Sequence, residues 1–151
     1  MTQIIRATPE DADSLTQITI AAKRHWQYPE TWIQLWMPKL TVTPEYIQTH
    51  ETWQVIVDDK SVAYYSFEKS KDGLWLDNLW VLPEFMGLGV GKLLFTHALE
   101  RCKEQQISIL KIEADPNAQS FYEHMGARKV TEHQTEIDGE VRILPIMEIE
   151  L

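Results

Sequence analysis

Cysteine is nearly absent from this sequence. Cys102 is the only one among 151 residues. A single thiol cannot close an internal disulfide, and it cannot supply the several thiolates of a cysteine-based zinc site. At this length, one core can bury roughly 70% of the surface that the unfolded chain exposes, so no covalent staple is needed. We therefore predict neither a disulfide framework nor a resident metal ion.

Long apolar runs are absent as well. No stretch approaches the roughly 18 consecutive apolar residues that a membrane-spanning helix needs. The first 15 residues contain no apolar stretch long enough for a signal peptide, and they become acidic at Glu10 and Asp11. We therefore expect a cytoplasmic protein with no membrane partner.

Clustered positive charge is the third absence. Lys and Arg number 14 against 23 Asp and Glu, which gives a formal net charge of -9. Nucleic-acid binding depends on grouped basic side chains, so we predict no nucleic-acid partner. Excess acid attracts cationic partners, which would suit an amine substrate, but acidity also keeps many proteins soluble.

Hydrophobic periodicity predicts strands and helices along the whole chain, as one domain over residues 1–151. Strands are predicted over 4–7, 53–57, 62–67, 74–81, 107–112, 127–136 and 143–151. Helix starts are predicted at Thr8-Pro9, at Pro44, after Gly91 and at Asp115-Pro116. The stretch 25–40 predicts one or two short helices, because Pro29 and Pro38 interrupt it.

This order of elements predicts a mixed α/β fold of about seven strands. An antiparallel meander comes first, a strand–helix–strand–helix unit follows, and a hairpin closes the chain. The crossover helix implies that the strands on either side of it run parallel. Helices are expected on both faces of the sheet. One apolar helix face follows the glycines and comprises Val90, Leu93, Leu94, Ala98, Leu99 and Cys102.

Three of the six glycines, Gly87, Gly89 and Gly91, occupy every second position of the turn that connects a predicted strand to this helix. Glycines let backbone amides converge, and a helix N-terminus adds partial positive charge, so the turn is suited to a phosphate. A nucleoside-triphosphate loop needs four residues between its first glycine and Gly-Lys, and then Ser or Thr; here there are three, and Leu93 follows. A dinucleotide fingerprint would require a glycine where Lys92 stands. The remaining alternative is a turn that only lets the helix pack closely.

The stretch from Leu76 to Arg128 resembles the central part of the GNAT acetyltransferase superfamily. The glycine motif follows the strand 76–81 and Leu82-Pro83-Glu84, and about 30 residues later comes Phe121-Tyr122-Glu123 before Gly126. The resemblance implies acetyl-CoA as co-substrate. Its pantetheine arm would lie beside a bulged strand at 79–81, which splays away from the strand 107–112. The cofactor-binding residues that the resemblance implies are Leu79, Trp80, Val81, Met86, Gly87, Leu88, Gly89, Val90, Gly91, Lys92 and Asn117.

Three positions depart from the family pattern. Met86 replaces the usual Arg or Gln at the start of the glycine motif, and Ala127 replaces an aromatic residue. Asp115 stands where many members have a cofactor-contacting Asn, while Asn117 lies two residues later. Either Asn117 takes that role or the contact is missing.

The resemblance assigns Tyr122 as the general acid for the departing thiolate, and a core tyrosine is the alternative. The base stays open, because Trp75 holds the position of the glutamate that some members use. Asp77 is the first candidate, since period-two spacing puts it on the face of Leu79. Glu113 is the second, and a water chain would need no dedicated base. His97 is expected to be exposed.

The resemblance predicts an N-acetyltransferase in which a primary amine attacks acetyl-CoA directly in a ternary complex. A non-catalytic CoA-binding sensor or scaffold is the alternative. The acceptor is expected to be a small-molecule, peptide or protein amine, and a homodimer is left open. The aromatic stretch from Trp26 to Met37 predicts core cover, an acceptor pocket with aromatic faces for a cation, or both.

Overall fold

Seven strands and five α-helices make up the computed structural model, which describes residues 1–151. The strands are β1 Thr2–Arg6, β2 Thr52–Val57, β3 Lys60–Ser70, β4 Gly73–Val81, β5 Ile109–Glu113, β6 Arg128–Ile137 and β7 Glu140–Glu150. The α-helices are α1 Ala12–His25, α2 Glu30–Leu40, α3 Pro44–Thr49, α4 Val90–Glu104 and α5 Gln119–His124. Short 3-10 turns, each beginning at a proline, span Pro9–Asp11, Pro83–Phe85 and Pro116–Ala118.

The strands form one sheet in the order β1-β2-β3-β4-β5-β7-β6. Only β4 and β5 pair in parallel, and every other neighbouring pair is antiparallel. Helix α4 is the crossover between these two parallel strands, as the sequence predicts. The predicted mixed fold of about seven strands is therefore confirmed.

Two neighbouring tyrosines show that helices cover both faces of the sheet. Tyr64 is hydrogen-bonded to Thr19 of α1, whereas the next residue, Tyr65, is hydrogen-bonded to His97 of α4. Successive side chains of a strand point to opposite faces, so α1 and α4 lie on opposite sides. The core between sheet and helices includes fully buried Leu15, Tyr64, Tyr65, Leu94, Phe95, Leu110 and Met147.

Strand β4 contains one residue more than its partner β3 in the middle of the pair. Phe67 lies opposite Leu76 and Ser66 lies opposite Asn78, so Asp77 is the extra residue of a β-bulge. A bulge bends the strand that contains it. The bend has a direct consequence for the neighbouring strand β5.

The parallel pairing of β4 with β5 covers only three residues. It runs from Leu74 opposite Leu110 to Leu76 opposite Ile112, although β4 continues to Val81. Beyond the bulge the two strands therefore diverge. The splayed parallel pair that the family resemblance implies is present, and the divergence begins at Asp77.

Two local expectations are wrong. Pro38 does not break the helix in 25–40, because α2 continues through it and ends at Leu40, two residues later. Leu93 does not join the apolar face of α4; 41% of its surface is exposed, whereas Leu94 beside it is fully buried. None of the helices combines the length and the hydrophobicity that crossing a membrane requires.

Candidate active site

A cavity of about 730 Å³ occupies the space between the diverging strands. We call it the β4–β5 cleft. Its walls come from residues 76–81 of β4, residues 112–115 at the end of β5, the glycine turn, α5 and the end of α1. Of the predicted cofactor-binding residues, the cleft is lined by Leu79, Trp80, Val81, Met86, Gly87, Gly89, Gly91, Lys92 and Asn117.

Two predicted residues do not line the cleft with their side chains. Leu88 is 69% exposed in the turn. Val90 is the first residue of α4, and its side chain is buried in the core. Their backbone amides nevertheless belong to the glycine turn, and those amides are its most distinctive chemical feature.

The turn presents six consecutive backbone N–H groups. The amides of residues 87–92 donate no backbone hydrogen bond, and the first bond of α4 is from Leu93 to the Gly89 carbonyl. Unpaired amides at a helix N-terminus carry partial positive charge and bind anions. The turn can therefore hold a phosphate or pyrophosphate at one end of the cleft.

The three glycines of the turn do not have the same surroundings. Gly87 and Gly89 have φ values of +77° and +85°, and a Cβ at either would meet nothing within 4 Å. Glycine is favoured there because of the left-handed backbone. A Cβ on Gly91 would lie 3.5 Å from the ring of Phe121, an ordinary van der Waals distance, so the packing of α4 against α5 does not require glycine there. The close-packing alternative therefore explains none of the three glycines.

Tyr122 lies in α5 and lines the same cleft. Its side chain is 6% exposed, and its ring packs edge-on against Phe95 and Phe121, at centroid distances of 5.6 and 5.3 Å. Burial, and then the negative charge of Asp115, raises the pKa of Tyr122 well above its ordinary value of 10.0. The phenol therefore keeps its proton at neutral pH, as a general acid must.

A second cavity of about 620 Å³, the side cavity, adjoins the cleft. Its walls come from the end of α1, from α2, α3 and the β6–β7 hairpin. The residues that line both cavities are Asp77, Asn78, Trp80, Glu113, Ala114 and Asp115. The two cavities therefore meet where β4 and β5 begin to diverge.

Asp77 stands at this junction, but on a different face from the predicted one. Its carboxylate accepts a hydrogen bond from the hydroxyl of Tyr46 in α3. The same Tyr46 hydroxyl accepts a hydrogen bond from the side-chain amide of Asn78 at 3.3 Å. Leu79 lies opposite Tyr65 and therefore points to the other face, toward α4. The predicted common face of Asp77 and Leu79 is wrong, because the bulge interrupts the period of two. Asp77 still reaches both cavities.

The other candidates for acid–base work differ in their surroundings. Glu113 lines both cavities and lies 3.0 Å from Nδ1 of His133, with 42% of its side chain exposed. Trp75 reaches neither cavity, and its indole donates to Ser70. His97 is half-buried, 2.7 Å from the Tyr65 hydroxyl, and burial lowers its pKa. The expectation that His97 is exposed is therefore wrong.

Asp115 anchors a buried polar cluster at the junction. Its carboxylate accepts hydrogen bonds from Lys23 at 2.7 Å, from Tyr28 at 3.0 Å and from the backbone amide of Asn117 at 2.9 Å. Burial opposes its ionisation, but the Lys23 ion pair and these hydrogen bonds outweigh burial, so the pKa of Asp115 lies below its ordinary value. Both Asp115 and Asn117 line the cleft.

The aromatic stretch 26–37 does contact cations, but they belong to the chain itself. Nζ of Lys23 lies 4.3 Å from the ring centre of Trp36 and 4.8 Å from that of Tyr28. Cζ of Arg142 lies 4.8 and 5.1 Å from the same two rings. The rings of Tyr28 and Trp36 are therefore already paired with cations of the chain, and these two rings do not form the expected aromatic site for a cationic acceptor.

Four residues of the junction were not predicted from the sequence: Lys23, Tyr28, Tyr46 and Arg142. Lys23 continues the buried stripe of α1 formed by Leu15, Thr19 and Ala22, so helical periodicity contained a signal. The other three residues gave none, because each reaches the junction from an element distant in sequence.

A family model described as the acetyltransferase (GNAT) domain matches residues 11–151. Two curated relatives, the uncharacterized N-acetyltransferases ycf52 of Gracilaria tenuistipitata var. liui and Pyropia yezoensis, are each 34% identical to this chain over 44 residues, or 29% of it. The match covers 24% and 25% of those relatives, so the chain spans about a quarter of their length.

Solved structures show the same fold at low identity. The GCN5-related N-acetyltransferase of Rhodopseudomonas palustris has a TM-score of 0.83 at 21% identity, over 100% of this chain and 96% of that one. The PaiA N-acetyltransferase of Thermoplasma acidophilum, in complex with coenzyme A, has a TM-score of 0.80 at 18% identity, over 100% of this chain and 99% of that one. The ribosomal-protein-S18-alanine N-acetyltransferase of Escherichia coli has a TM-score of 0.75 at 18% identity, over 99% of this chain and 94% of that one.

Proposed function

Because the chain belongs to the GNAT acetyltransferase family, we propose that it transfers an acetyl group from acetyl-CoA to a primary amine. The observation that carries the proposal is the glycine turn: its amides at residues 87–92 donate no backbone hydrogen bond, and Gly87, Gly89, Gly91 and Lys92 line the same cleft as the protonated Tyr122. The amides suit the pyrophosphate, and the cleft leads from them to the junction at Asp77. When bound, acetyl-CoA supplies the acetyl thioester.

The cleft fits a long, thin cofactor arm in two respects. Its volume of about 730 Å³ falls within the range of small-molecule sites. Beyond the bulge, β4 has lost β5 as its parallel neighbour, so backbone groups on that edge are available to a ligand that lies along the strand. The amine would approach from the side cavity and meet the acyl carbon at the junction.

We assign the two proton transfers to Asp77 and Tyr122. The amine nitrogen forms a bond to the acyl carbon as the carbon–sulfur bond breaks, and Asp77 accepts the proton that the amine loses. Tyr122 gives its proton to the departing sulfur and recovers one from solvent. Asp77 is preferred to Glu113 because Tyr46 holds its carboxylate in place, whereas Glu113 is directed toward His133.

Thermal unfolding and turnover test the proposal together. Acetyl-CoA at 100 times its dissociation constant should stabilise the protein by about 2.7 kcal/mol, a shift of several degrees. ATP with magnesium should not. Free CoA should be released when a panel of primary amines is supplied.

Gly89→Ala is the test variant, and Gly139→Ala is its matched control. Both glycines have φ near +80°, and a Cβ at either would meet open space, so both substitutions cause the same backbone strain. Only Gly89 lies beside the free amides, so only Gly89→Ala should abolish stabilisation by acetyl-CoA. Stabilisation by ATP-magnesium and none by acetyl-CoA would contradict the proposal. Stabilisation by acetyl-CoA with no amine acetylated would favour the sensor alternative.

A further inference from the structure

The buried cluster at the junction contains more positive than negative charge. Lys23, Asp115 and Arg142 have side chains that are only 9%, 10% and 11% exposed. Two cations thus face one carboxylate. Burying a charge without an equal opposite charge is costly, so the excess cation calls for an anion.

Asp115 cannot satisfy both cations. Its carboxylate already accepts from Lys23, from the Tyr28 hydroxyl, and from both the backbone and the side-chain amide of Asn117. Arg142 approaches it only to 3.8 Å, outside hydrogen-bond distance. The charge of Arg142 is therefore only partly compensated, by an ion pair at 3.8 Å that lacks a hydrogen bond.

The Arg142 side chain uses one of its five N–H donors within the chain. Nη2 donates to the hydroxyl of Tyr28 at 2.9 Å, and this is the only hydrogen bond that the guanidinium makes. The guanidinium also lies 4.8 Å from the ring centre of Trp36, a contact that fixes its plane without satisfying its donors. A buried guanidinium held in place with free donors is suited to a planar, two-oxygen anion.

The free guanidinium belongs to the side cavity. Arg142 lines that cavity and does not line the β4–β5 cleft. An anion bound there would accompany the acceptor and not the cofactor. Asp77 and Glu113 stand at the junction, where they suit the amino group of the same molecule.

We propose that Arg142 binds a carboxylate of the acceptor, so the acceptor is an amino acid or a similar amine with a carboxylate a few bonds away. This inference rests on the proposed function and names its substrate class. Arg142 is then the specificity-determining residue. The amino group faces the acids at the junction, and the carboxylate faces the guanidinium.

Matched acceptors test the inference directly. Alanine, methionine and phenylalanine are each compared with their carboxamides, and rates are expressed per concentration of unprotonated amine. The wild-type protein should favour the amino acids over the carboxamides by roughly 10-fold or more in kcat/KM, mainly through KM, because hydrogen bonds to charged groups are the strong ones.

Two variants of Arg142 and one control variant assign the preference to one residue. Arg142→Met should bring the ratio of kcat/KM for each amino acid to that for its carboxamide close to 1, whatever the overall rate of the variant. Lys39→Met is the control, because Lys39 is an exposed cation of the same cavity, and it should leave the preference unchanged. Arg142→Lys keeps the charge without the planar fork and should retain only part of the preference.

The outcomes separate this inference from the proposed function. If amines are acetylated with no preference for the carboxylate, or if Arg142→Met leaves the preference intact, the inference is overturned and the proposed function stands. If none of the three amino acids is acetylated while other amines are, the inference is again overturned. If Arg142→Met does not fold, the wild-type ratio alone decides. Only the absence of both acetyl-CoA stabilisation and amine turnover would overturn the proposed function.

Discussion

Tyr122 holds a proton that its surroundings make difficult to remove. The ring is enclosed by Phe95 and Phe121, and Asp115 nearby adds negative charge, so the phenolate is disfavoured. A thiol has an ordinary pKa near 8.5, so the raised pKa makes proton transfer from this phenol to a departing thiolate less favourable than transfer from an ordinary tyrosine. At neutral pH Tyr122 therefore holds its proton, which the proposed role as general acid requires.

Tyr122→Phe removes that proton and little volume. We expect kcat to fall by roughly 10²-fold or more, because general acid catalysis contributes on that scale. The melting temperature and its increase with acetyl-CoA should stay close to those of the wild type. An unchanged kcat with a genuine acceptor would return Tyr122 to a packing role.

Asp77 and Glu113 form a natural pair of test and control, because both are carboxylates that line both cavities. Asp77→Asn should lower kcat by roughly 10²-fold at neutral pH, since the amine then has no positioned acceptor for its proton. Glu113→Gln should change kcat by only a few-fold. The reverse pattern would assign the base to Glu113, and two unaffected variants would mean that no dedicated base is needed.

At the scale of elements, periodicity located every strand, with errors of no more than two residues at most ends and of three residues at one end of β3 and one end of β7. The β3 strand extends to Lys60–Ser70 because its pairing with β4 continues past the apolar residues that mark it in the sequence. Proline and glycine signals located the helix starts, and Pro38 misled because its effect depends on distance from the helix end. The bulge at Asp77 could not be predicted from the alternation of side chains along a strand, because that alternation holds only for a strand without a bulge.

The same limit explains how much of the candidate site the sequence predicted. The glycine turn and Tyr122 are local motifs, and the cleft contains both of them. Lys23 and Arg142 are 119 positions apart and meet only because α1 and β7 converge on Asp115. Their shared partner is a property of the topology, and no local pattern in either segment reports it.

The molecule as a whole has a distinctive alkaline response. All five tyrosines, Tyr28, Tyr46, Tyr64, Tyr65 and Tyr122, have raised pKa values, and burial is the largest cause in each. The pKa of Tyr28 rises to about 12, and those of the others rise further. No tyrosine is therefore expected to titrate near 10 while the protein is folded.

This predicts cooperative unfolding in alkali. Raised pKa values mean that the folded state keeps tyrosine protons that the unfolded state releases. The contribution of the protonated tyrosines to the free energy of unfolding is therefore complete below pH 10.0 and is lost as the pH rises above it. Tyrosinate absorbance and loss of circular dichroism should therefore rise together in one step above that pH. Gradual ionisation around pH 10.0 with intact circular dichroism would contradict the prediction.

The net charge of -9 favours cationic partners, whereas the buried cluster contains a cation with free hydrogen-bond donors. From the sequence, excess acid and aromatic residues suggest a cationic acceptor. The structure turns the rings of Tyr28 and Trp36 toward Lys23 and Arg142, and it leaves a guanidinium with free donors inside an acidic protein. Overall charge acts over long range on encounter, whereas a single buried group selects what stays bound.

The bulge in β4 shows how little chain length the cleft requires. No lid, loop insertion or second sheet opens the space between β4 and β5; one residue beyond what β3 can pair with is enough to bend the strand away. Loss of the single codon for Asp77 would leave β3 and β4 in continuous register and would let β4 continue beside β5. We expect a protein with this deletion to keep its sheet and to lose the space in which the two proposed reactants would meet.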